Sequence, residues 1–450
     1  MIARGITLMS TIDALTQAGM SQAQAHHKAE LFRQLTEVHA RMNGQPPKSY
    51  FIPGRIEVLG KHVDYAGGRS LTCATEQGFC MVVSPRDDWR VRIVEPTQNL
   101  EVSFPIDPEL EPWTGDWTNY PMNVCRRVAR NFPRSLPAKL RGCDIAFTSD
   151  LPQAAGLSSS SALIVGVFTA IAEINNLKQH PAYTAQIQSD LDLAGYLGAV
   201  ENGLSYGSLE GDRGVGTLGG SQDHTAILCA KANSLGCFKY RPVELESRIA
   251  LPEDYVFAIG VSGVHAAKTG NAKDQYNRAS ELASEAAALW RNKTNRDDVH
   301  LAAVADSAPG AADQLLALLR DTASGHRLRA EQFIDETYHI VPRACDALAK
   351  GDLTAFGDLT DRSQQGAENK LGNQVPQTMF LAKHARELGA VAASAFGAGF
   401  GGSVWAMIHE DRAEQFSNNW SNAYQQAFPN QAHDASFVTT RAGPPAMRVG

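Results

Sequence analysis

Residues 151–163, LPQAAGLSSSSAL, form a small-residue stretch whose chemistry suits a phosphate group. Before it, GCDIAFTSD alternates apolar and polar residues as a half-buried strand does, and after it the apolar run SALIVGVFTAIAEI predicts a buried helix. Pro152 and Gly156 end the strand, and the Ser158–Ser161 run supplies N-cap residues. Free N–H groups and the helix dipole attract an anion. We therefore predict a phosphate cradle; a turn that only caps a core helix is the alternative.

A second stretch, SYFIPGRIEVLGKHVDYAGGRSL at residues 49–71, places many polar side chains beside a short strand. Ile56, Val58 and Leu59 indicate the strand. Its glycines indicate close approach of the backbone to a ligand, and a charged strand edge facing water is the alternative. The polar side chains of this stretch include Arg55, Glu57, Lys61, His62, Asp64 and Tyr65, and all of these except Glu57 are candidate site residues.

Composition argues against several classes of protein. The 450 residues carry a formal net charge of −7, which disfavours nucleic acid as a partner because phosphate backbones are bound by basic surfaces. We expect no membrane association, since the sequence lacks an apolar run of about 18 residues. Scattered cysteines and an N-terminus without a secretory apolar core predict a cytoplasmic protein with reduced thiols. The histidines follow no zinc-binding pattern.

Both stretches resemble motifs of the GHMP kinases, a superfamily that includes galactokinase, homoserine kinase and mevalonate kinase. PGRIEVLGKHVDYAGG is similar to the galactokinase signature, and LPQAAGLSSSSAL is similar to the superfamily's phosphate loop. SAFGAGFGGSVWAM at residues 394–407 is similar to the third motif, a tight turn near the ligands formed here by Gly397, Gly399, Gly401 and Gly402. WTNYPMNV and SGVHAAKTGNAKDQYNR resemble further galactokinase segments. The resemblance therefore covers most of the chain.

The resemblance implies an ATP-dependent kinase, in which positioning and charge neutralisation do most of the catalysis. Ser160 and Glu201 match the family's side-chain ligands of Mg²⁺, an ion that prefers oxygen ligands. For Glu201 alone, a solvated carboxylate on a helix is the alternative. The residues expected around the ATP phosphates are Gly156, Leu157, Ser158, Ser159, Ser160 and Ser161.

Asp223, in GGSQDHTAILCAK, stands where the family has its catalytic aspartate, with His224 in place of the usual glutamine. The resemblance implies that Asp223 accepts or orients the proton of the sugar hydroxyl, while Arg55 keeps Asp223 ionised and stabilises the transferred charge. An aspartate that only caps a turn is the alternative. The residues that match the family's sugar pocket are His62, Asp64, Tyr65 and Tyr276.

Two features depart from the galactokinase pattern GRxNLIGEHxDY. Glu57 replaces its asparagine, and Lys61 replaces the glutamate that accepts a hydrogen bond from the sugar in the family. Lysine has only donors, so Lys61 could bind a substrate carboxylate, as in galacturonate, or a neutral sugar oxygen; alternatively Glu57 and Lys61 neutralise each other. The other departure is an acidic, glycine-rich insertion at residues 206–219, interpreted as a substrate lid or as a surface insertion.

The sequence predicts an α+β fold, because strand and helix patterns occur without regular alternation. Residues 256–264 predict a strand, and helical periodicity covers residues 275–290 and 329–348. The resemblance implies the two-domain GHMP kinase fold, with an S5-like N-terminal domain at residues 1–245 and a ferredoxin-like C-terminal domain at residues 246–450. The active site is expected in the cleft between these domains.

The expected function is phosphorylation of the anomeric hydroxyl of galactose or a related sugar, with ATP and Mg²⁺. We expect a monomer or a homodimer whose partners are the small sugar and ATP. A galacturonate kinase, with Lys61 binding the carboxylate, is one alternative. A non-catalytic sensor of sugar and ATP is the other.

Overall fold

The computed structural model describes residues 8–42, 45–133, 140–152, 155–264, 271–322 and 325–450. The helices are α1 (Leu8–Gln17), α2 (Gln22–Ala40), α3 (Asn119–Asn131), α4 (Ser159–Ile174), α5 (Pro181–Gln186), α6 (Asp190–Asn202), α7 (Gln222–Leu228), α8 (Asn271–Thr294), α9 (Leu301–Asp306), α10 (Ala311–Leu318), α11 (His326–Ile334), α12 (Val341–Ala349), α13 (Leu353–Gly366), α14 (Pro376–Glu387) and α15 (Ala413–Ala427). Within these ranges, none of the helices combines the length and the apolar character needed to cross a bilayer.

The strands form two sheets. They are β1 (Lys48–Leu59), β2 (Arg69–Pro85), β3 (Arg90–Glu95), β4 (Leu100–Pro105), β5 (Cys143–Ser149), β6 (Ser234–Lys239), β7 (Glu244–Ala250), β8 (Tyr255–Val261), β9 (Ala392–Phe396), β10 (Ser403–His409), β11 (Ser436–Thr440), β12 (Ala442–Gly443) and β13 (Met447–Arg448). The larger sheet follows the order β13-β1-β2-β5-β3-β4, with β12 and β6 also paired to β2, and β7 paired to β6. The smaller sheet follows the order β11-β8-β10-β9.

The larger sheet is covered by helices on both faces, as the alternation of side chains along β1 shows. Tyr50 and Ile52 join the main core, which includes residues of α3 and α4, whereas Phe51 packs with residues of α1 and α2. Successive side chains of a strand point to opposite faces. An apolar residue at every position is therefore expected where both faces are buried.

Helices of the second half pack in two places. Trp420 of α15 and Leu381 of α14 cover the smaller sheet in one cluster with Val404. A separate cluster joins α8, α9, α10 and α11 to Val63 and Tyr65, which follow β1. The helical half therefore contacts the very segment that carries the charged motif.

The predicted α+β class is confirmed, and the strand predicted at residues 256–264 is present as β8, which ends earlier, at Val261. The helix predicted over residues 329–348 is interrupted, because Asp335–Ile340 form a π-helical turn between α11 and α12. Pro342 has no N–H to donate to the carbonyl of Tyr338, so regular helical bonding cannot continue through this point. In SGVHAAKTGNAKDQYNR, residues 265–270 lie outside the described residues, as do 153 and 154 of LPQAAGLSSSSAL.

The pairing of strands places the change from one sheet to the other later than predicted. β7 spans the predicted boundary at residue 245 and pairs with β6 in the larger sheet. Near the C-terminus, β12 pairs with β2 and β13 pairs with β1. The two-domain division stays a prediction, with its boundary moved beyond Ala250 and residues 442–448 returned to the first sheet.

Candidate active site

A cavity of about 710 Å³ lies where the larger sheet meets the loop before α4, the segment before α7 and the turn between β9 and β10. This is the usual size of a pocket for a small ligand. The predicted residues that line it include the Ser158–Ser161 run and the four glycines of the third motif. The predicted charged or aromatic residues that line it are Arg55, His62, Asp64, Glu201, Asp223 and Tyr276.

The first two motifs are joined by Arg55. Its backbone N–H donates to the carbonyl of Leu157 at 3.1 Å, and its Nη1 donates to the carbonyl of Gly156 at 2.5 Å. The third motif touches the same loop, because a Cβ at Gly397 would lie 3.3 Å from the carbonyl oxygen of Gly156. The three segments, distant in sequence, therefore form one wall.

The turn of the third motif needs its glycines. All four, from Gly397 to Gly402, have φ between 77° and 133°, a region that residues with a Cβ rarely adopt. At Gly401 a Cβ would also lie 2.4 Å from the carbonyl oxygen of Val264. Substitution at this position would therefore displace the backbone beside the cavity.

The phosphate-loop region ends at helix α4, whose first turn forms part of the cavity wall. Ser158 precedes the helix with φ of 60°, and its hydroxyl donates to Oδ2 of Asp223 instead of capping the helix. Ser158 therefore occupies the predicted N-cap position of α4, but its side chain makes no capping hydrogen bond. The first-turn N–H groups keep their anion-binding character, because the positive end of the helix dipole lies at the same place.

Asp223 is held in place by an ion pair with a buried arginine. Nε of Arg55 donates to Oδ1 of Asp223 at 2.7 Å, and Arg55 is only 3% exposed. Burial alone would lower the pKa of Arg55, but the charges of Asp223 and Glu57 outweigh burial and raise this pKa. The guanidinium therefore stays charged and fixes one oxygen of the carboxylate.

Glu201, on α6, and Asp223 approach the same hydroxyl group. Oγ of Ser161 donates to Oε2 of Glu201 at 2.9 Å and lies 3.5 Å from Oδ2 of Asp223. Nε2 of His224 lies 3.2 Å from Oε2 of Glu201. Carboxylate and hydroxyl oxygens fit Mg²⁺, which usually completes its shell with water and substrate phosphates. In the described ranges no group of three or more His, Cys, Asp and Glu side chains could hold a metal alone.

His62 is buried beside Tyr276, with a distance of 5.0 Å between ring centroids. Its Nε2 lies 3.0 Å from the carbonyl oxygen of Ala398, and its Nδ1 lies 3.1 Å from the hydroxyl of Tyr65. Burial lowers the pKa of His62 to about 4, so the imidazole is neutral near pH 7. His62 therefore offers the cavity a neutral polar ring that is fixed on both sides.

Asp64 is fixed by two backbone N–H groups. Its Oδ1 accepts from Tyr65 at 2.9 Å, and its Oδ2 accepts from Gln222 at 3.1 Å. Burial raises the pKa of Asp64. A Cβ at Gly220 would lie 2.5 Å from Oδ2, so this close approach requires glycine. The carboxyl group is thus oriented before any ligand arrives.

Lys61 was predicted to contact the substrate, but it is absent from the described residues that line the cavity. It is 1% exposed, and its Nζ donates to Oγ of Ser363 at 3.0 Å. Ser363 in turn donates to Oε1 of Glu336 at 2.9 Å. A register shift of β1 after Glu57 and the φ of 101° at Gly60 turn Lys61 towards the helices of the second half.

Tyr65 also lies behind the cavity wall among the described residues, which differs from its predicted contact with substrate. Its hydroxyl accepts from Nη2 of Arg329 at 3.1 Å and contacts the ring of His62. Tyr65 therefore orients His62. Leu157 likewise contributes its backbone carbonyl to Arg55 rather than a side chain to the cavity.

The insertion at residues 206–219 packs against α3. Asp212 accepts from Nε of Arg126 at 2.6 Å and lies 3.1 Å from Nε of Arg130. The end of the insertion reaches the cavity, where Thr217 and Gly219 line the wall. The lid interpretation stays a prediction, and the acidic part of the insertion is bound to a helix.

Matches with known families agree with this arrangement. A model described as the GHMP kinases N terminal domain matches residues 119–203, and one described as GHMP kinases C terminal matches residues 344–426. Ahead of both segments, a model described as the galactokinase galactose-binding signature matches residues 37–85. The chain belongs to the GHMP kinases.

Relatives of this GHMP kinase match it over nearly their whole length. The galactokinase of Roseiflexus sp. (strain RS-1) is 28% identical over 400 residues, which cover 88% of this chain and 92% of the relative. The galactokinase of Actinobacillus pleuropneumoniae serotype 5b (strain L20) is 26% identical over 388 residues, which cover 84% of this chain and 90% of the relative.

Solved structures show the same fold. Lactococcus lactis galactokinase complexed with galactose superposes with a TM-score of 0.74 at 22% identity, covering 92% of this chain and 99% of that one. Methanococcus jannaschii mevalonate kinase superposes with a TM-score of 0.52 at 13% identity, covering 88% of this chain and 98% of that one. The predicted GHMP kinase fold is confirmed.

Sequence reasoning about this GHMP kinase missed an aromatic part of the cavity. The ring centroid of Phe147 lies 5.3 Å from that of Phe79 and 6.4 Å from that of Trp117. Phe147 belongs to the alternating pattern of β5 just before the phosphate loop, which was a usable signal. Phe79 and Trp117 come from distant segments, and only the fold brings them to the same place.

Proposed function

We propose that this GHMP kinase is a galactokinase-like sugar kinase, which transfers the γ-phosphoryl group of ATP to the anomeric hydroxyl of galactose or a related neutral hexose. The observation that carries the proposal is the position of Asp223, which is paired with Arg55 and lies beside the first turn of α4 at the cavity. A proton acceptor next to an anion-binding helix end is what phosphoryl transfer to a hydroxyl requires. The galactokinase relatives support galactose as the acceptor.

Different residues of the cavity carry out catalysis and binding of the acceptor. Asp223 accepts the proton of the attacking hydroxyl through Oδ2, the oxygen that Ser158 contacts, while Oδ1 stays bound to Arg55. Arg55 also stabilises the negative charge of the transferred group. His62, Asp64 and Tyr276 hold the acceptor, because each is fixed by contacts within the protein before the sugar binds.

Glu201 and the serines of α4 fit the expected Mg²⁺ site. Glu201 and Ser160 match the family's ligands, and Ser161 joins Glu201 to Asp223 through one hydroxyl. When bound, Mg²⁺ neutralises the charge of the phosphate oxygens. The position of Ser161 supports a role in fixing Glu201 near the phosphates.

The aromatic part of the cavity suits the adenine of ATP. Phe79, Trp117 and Phe147 present ring surfaces at the cavity, where a planar base can stack. The glycine turn of the third motif and the first turn of α4 would then bind the phosphates of ATP. All seven cysteines are free and buried, which fits the proposed cytoplasmic location.

A galacturonate kinase receives less support from the geometry. Lys61, the residue expected to bind the carboxylate, donates to Ser363 instead. The side chain that lines the cavity near this position is Glu57, which has no positive charge to offer a substrate carboxylate.

The experiment is a measurement of Mg²⁺-dependent ADP release from ATP with galactose, galacturonate, N-acetylgalactosamine, glucuronate and arabinose. The Asp223→Asn variant is the control, since it keeps the shape of the side chain without the proton acceptor. We expect turnover with galactose and its loss in the variant. Turnover with galacturonate alone would support the uronate kinase, and sugar binding without any turnover would support the sensor.

A further inference from the structure

Glu57 is a buried carboxyl group at the cavity that the predicted mechanism does not use. It is 4% exposed and lines the cavity. Within the described part of the chain, its Oε1 has no hydrogen-bond partner. A buried polar atom without a partner is costly, so a carboxyl group that has such an atom and lies at a pocket indicates the place of a ligand group.

The cations nearest to Glu57 are bound elsewhere. Arg55 donates through Nε to Asp223 and through Nη1 to the carbonyl of Gly156. Lys61 donates to Oγ of Ser363. Oε1 of Glu57 therefore has no partner in either cation, although the charges of both lower the pKa that burial raises.

The register of β1 fixes where Glu57 lies relative to the reacting group. Arg55 pairs with Ala74 and Glu57 pairs with Thr72, without a shift between them, so the two side chains are on the same face of β1. Two residues of a strand span about 7 Å. Glu57 is therefore displaced from the Arg55–Asp223 pair by a distance comparable with the width of a hexose ring.

We propose that Glu57 is a specificity-determining residue, whose carboxyl group hydrogen-bonds a hydroxyl of the acceptor sugar on the side of the ring away from the transferred phosphoryl group. This inference rests on the proposed sugar kinase function. It makes the acceptor a sugar with a neutral hydroxyl at that position.

The test combines variants with sugars that lack one hydroxyl each. Values of kcat/KM are measured for galactose and its 2-, 3-, 4- and 6-deoxy analogues with the wild-type protein, Glu57→Ala, Glu57→Gln and the exposed control Glu414→Gln. For the wild type we expect kcat/KM for one analogue to be about tenfold or more below that for galactose, which is the usual cost of a missing hydrogen bond in a polar site. With Glu57→Ala that loss should disappear, because the two changes remove the same contact.

If the losses of kcat/KM from Glu57→Ala and from the missing hydroxyl were additive for every analogue, the inference would be overturned while the kinase function stayed intact. Glu57→Gln keeps the size of the side chain, and thermal unfolding of both variants shows whether a loss in Glu57→Ala reflects misfolding. If galactose gives no turnover with the wild type, the proposed function fails, and the same set of sugars and variants is compared by dissociation constants from calorimetry. Coupling between Glu57 and one hydroxyl in binding then still supports the inference, and additivity or absence of sugar binding overturns it.

Discussion

Two neighbouring positions on the same face of β1 differ in how complete their contacts are. Arg55 has partners at both ends of its guanidinium, in Asp223 and Gly156. Glu57 faces the same cavity, but its Oε1 has no partner among the described residues. The difference indicates two kinds of functional position. The Arg55–Asp223 pair is held by contacts within the protein, as a catalytic group requires. At Glu57 a ligand group would complete the hydrogen bonding, as a recognition residue requires.

The Arg55→Lys variant tests the assembled pair and should have the largest effect. Lysine keeps the positive charge, but it lacks the planar fork that reaches Asp223 and the carbonyl of Gly156 together. We expect kcat for galactose to fall about 100-fold, because small misplacements of a catalytic group have effects of this size. Steady-state kinetics measures the change.

Arg412→Lys is the matched control, since Arg412 is exposed at the N-cap of α15 and is absent from the described residues that line the cavity. The control should keep the wild-type kcat. If Arg55→Lys retained full kcat, the fork geometry would be irrelevant and the contrast with Glu57 would disappear.

Removal of the Lys61 ammonium in Lys61→Met should affect stability rather than sugar use. The change leaves Oγ of Ser363 without its buried donor, and an unsatisfied group of this kind costs about 1–3 kcal/mol in the free energy of unfolding. Urea denaturation measures this cost. The KM for galactose should change less than threefold, a small effect by the standard of about tenfold for a lost substrate contact. A large rise in KM at unchanged stability would place Lys61 at the acceptor.

The pH dependence of stability tests the protonation state of Glu57. The pKa of Glu57 is raised from 4.5 to about 8, because burial, together with the charges of Asp223 and Glu336, outweighs the lowering by Arg55 and Lys61. At a pH between these two pKa values, Glu57 holds a proton in the folded state that it releases in the unfolded state. The contribution of Glu57 to stability therefore falls as the pH rises from about 4.5 to about 8.

Glu57→Gln cannot titrate, so its stability relative to the wild type should increase from pH 5 to pH 8, by at most about 1.4 kcal/mol per pH unit. Chemical denaturation at several pH values measures the difference. A difference that stays constant over this range would show that Glu57 is ionised throughout.

The frame of the site could be predicted from local patterns. Alternation of apolar residues predicted the strand that became β5, and the apolar run predicted α4. The positions of Asp223 and Glu201 near this loop followed from the family resemblance. Local patterns and motif order are sufficient where side-chain direction follows from regular backbone.

Side-chain direction could not be predicted where the backbone is irregular. A strict period of two along β1 would put Lys61 on the same face as Arg55 and Glu57, but the register shift after Glu57 breaks that period. The same limit applies to Ser158, whose φ of 60° sends its hydroxyl to Asp223. Neither irregularity has a signal in the sequence that distinguishes it from regular backbone.

The most direct test of the proposed chemistry is the position of the phosphate on the product. The wild-type protein and Asp223→Asn are incubated with ATP, Mg²⁺ and galactose, and the sugar product is examined by phosphorus NMR. We predict a phosphate coupled to the anomeric proton for the wild type and no sugar phosphate for the variant. A phosphate on another carbon, or full product formation by Asp223→Asn, would contradict the assignment of Asp223 as the proton acceptor of a sugar 1-kinase.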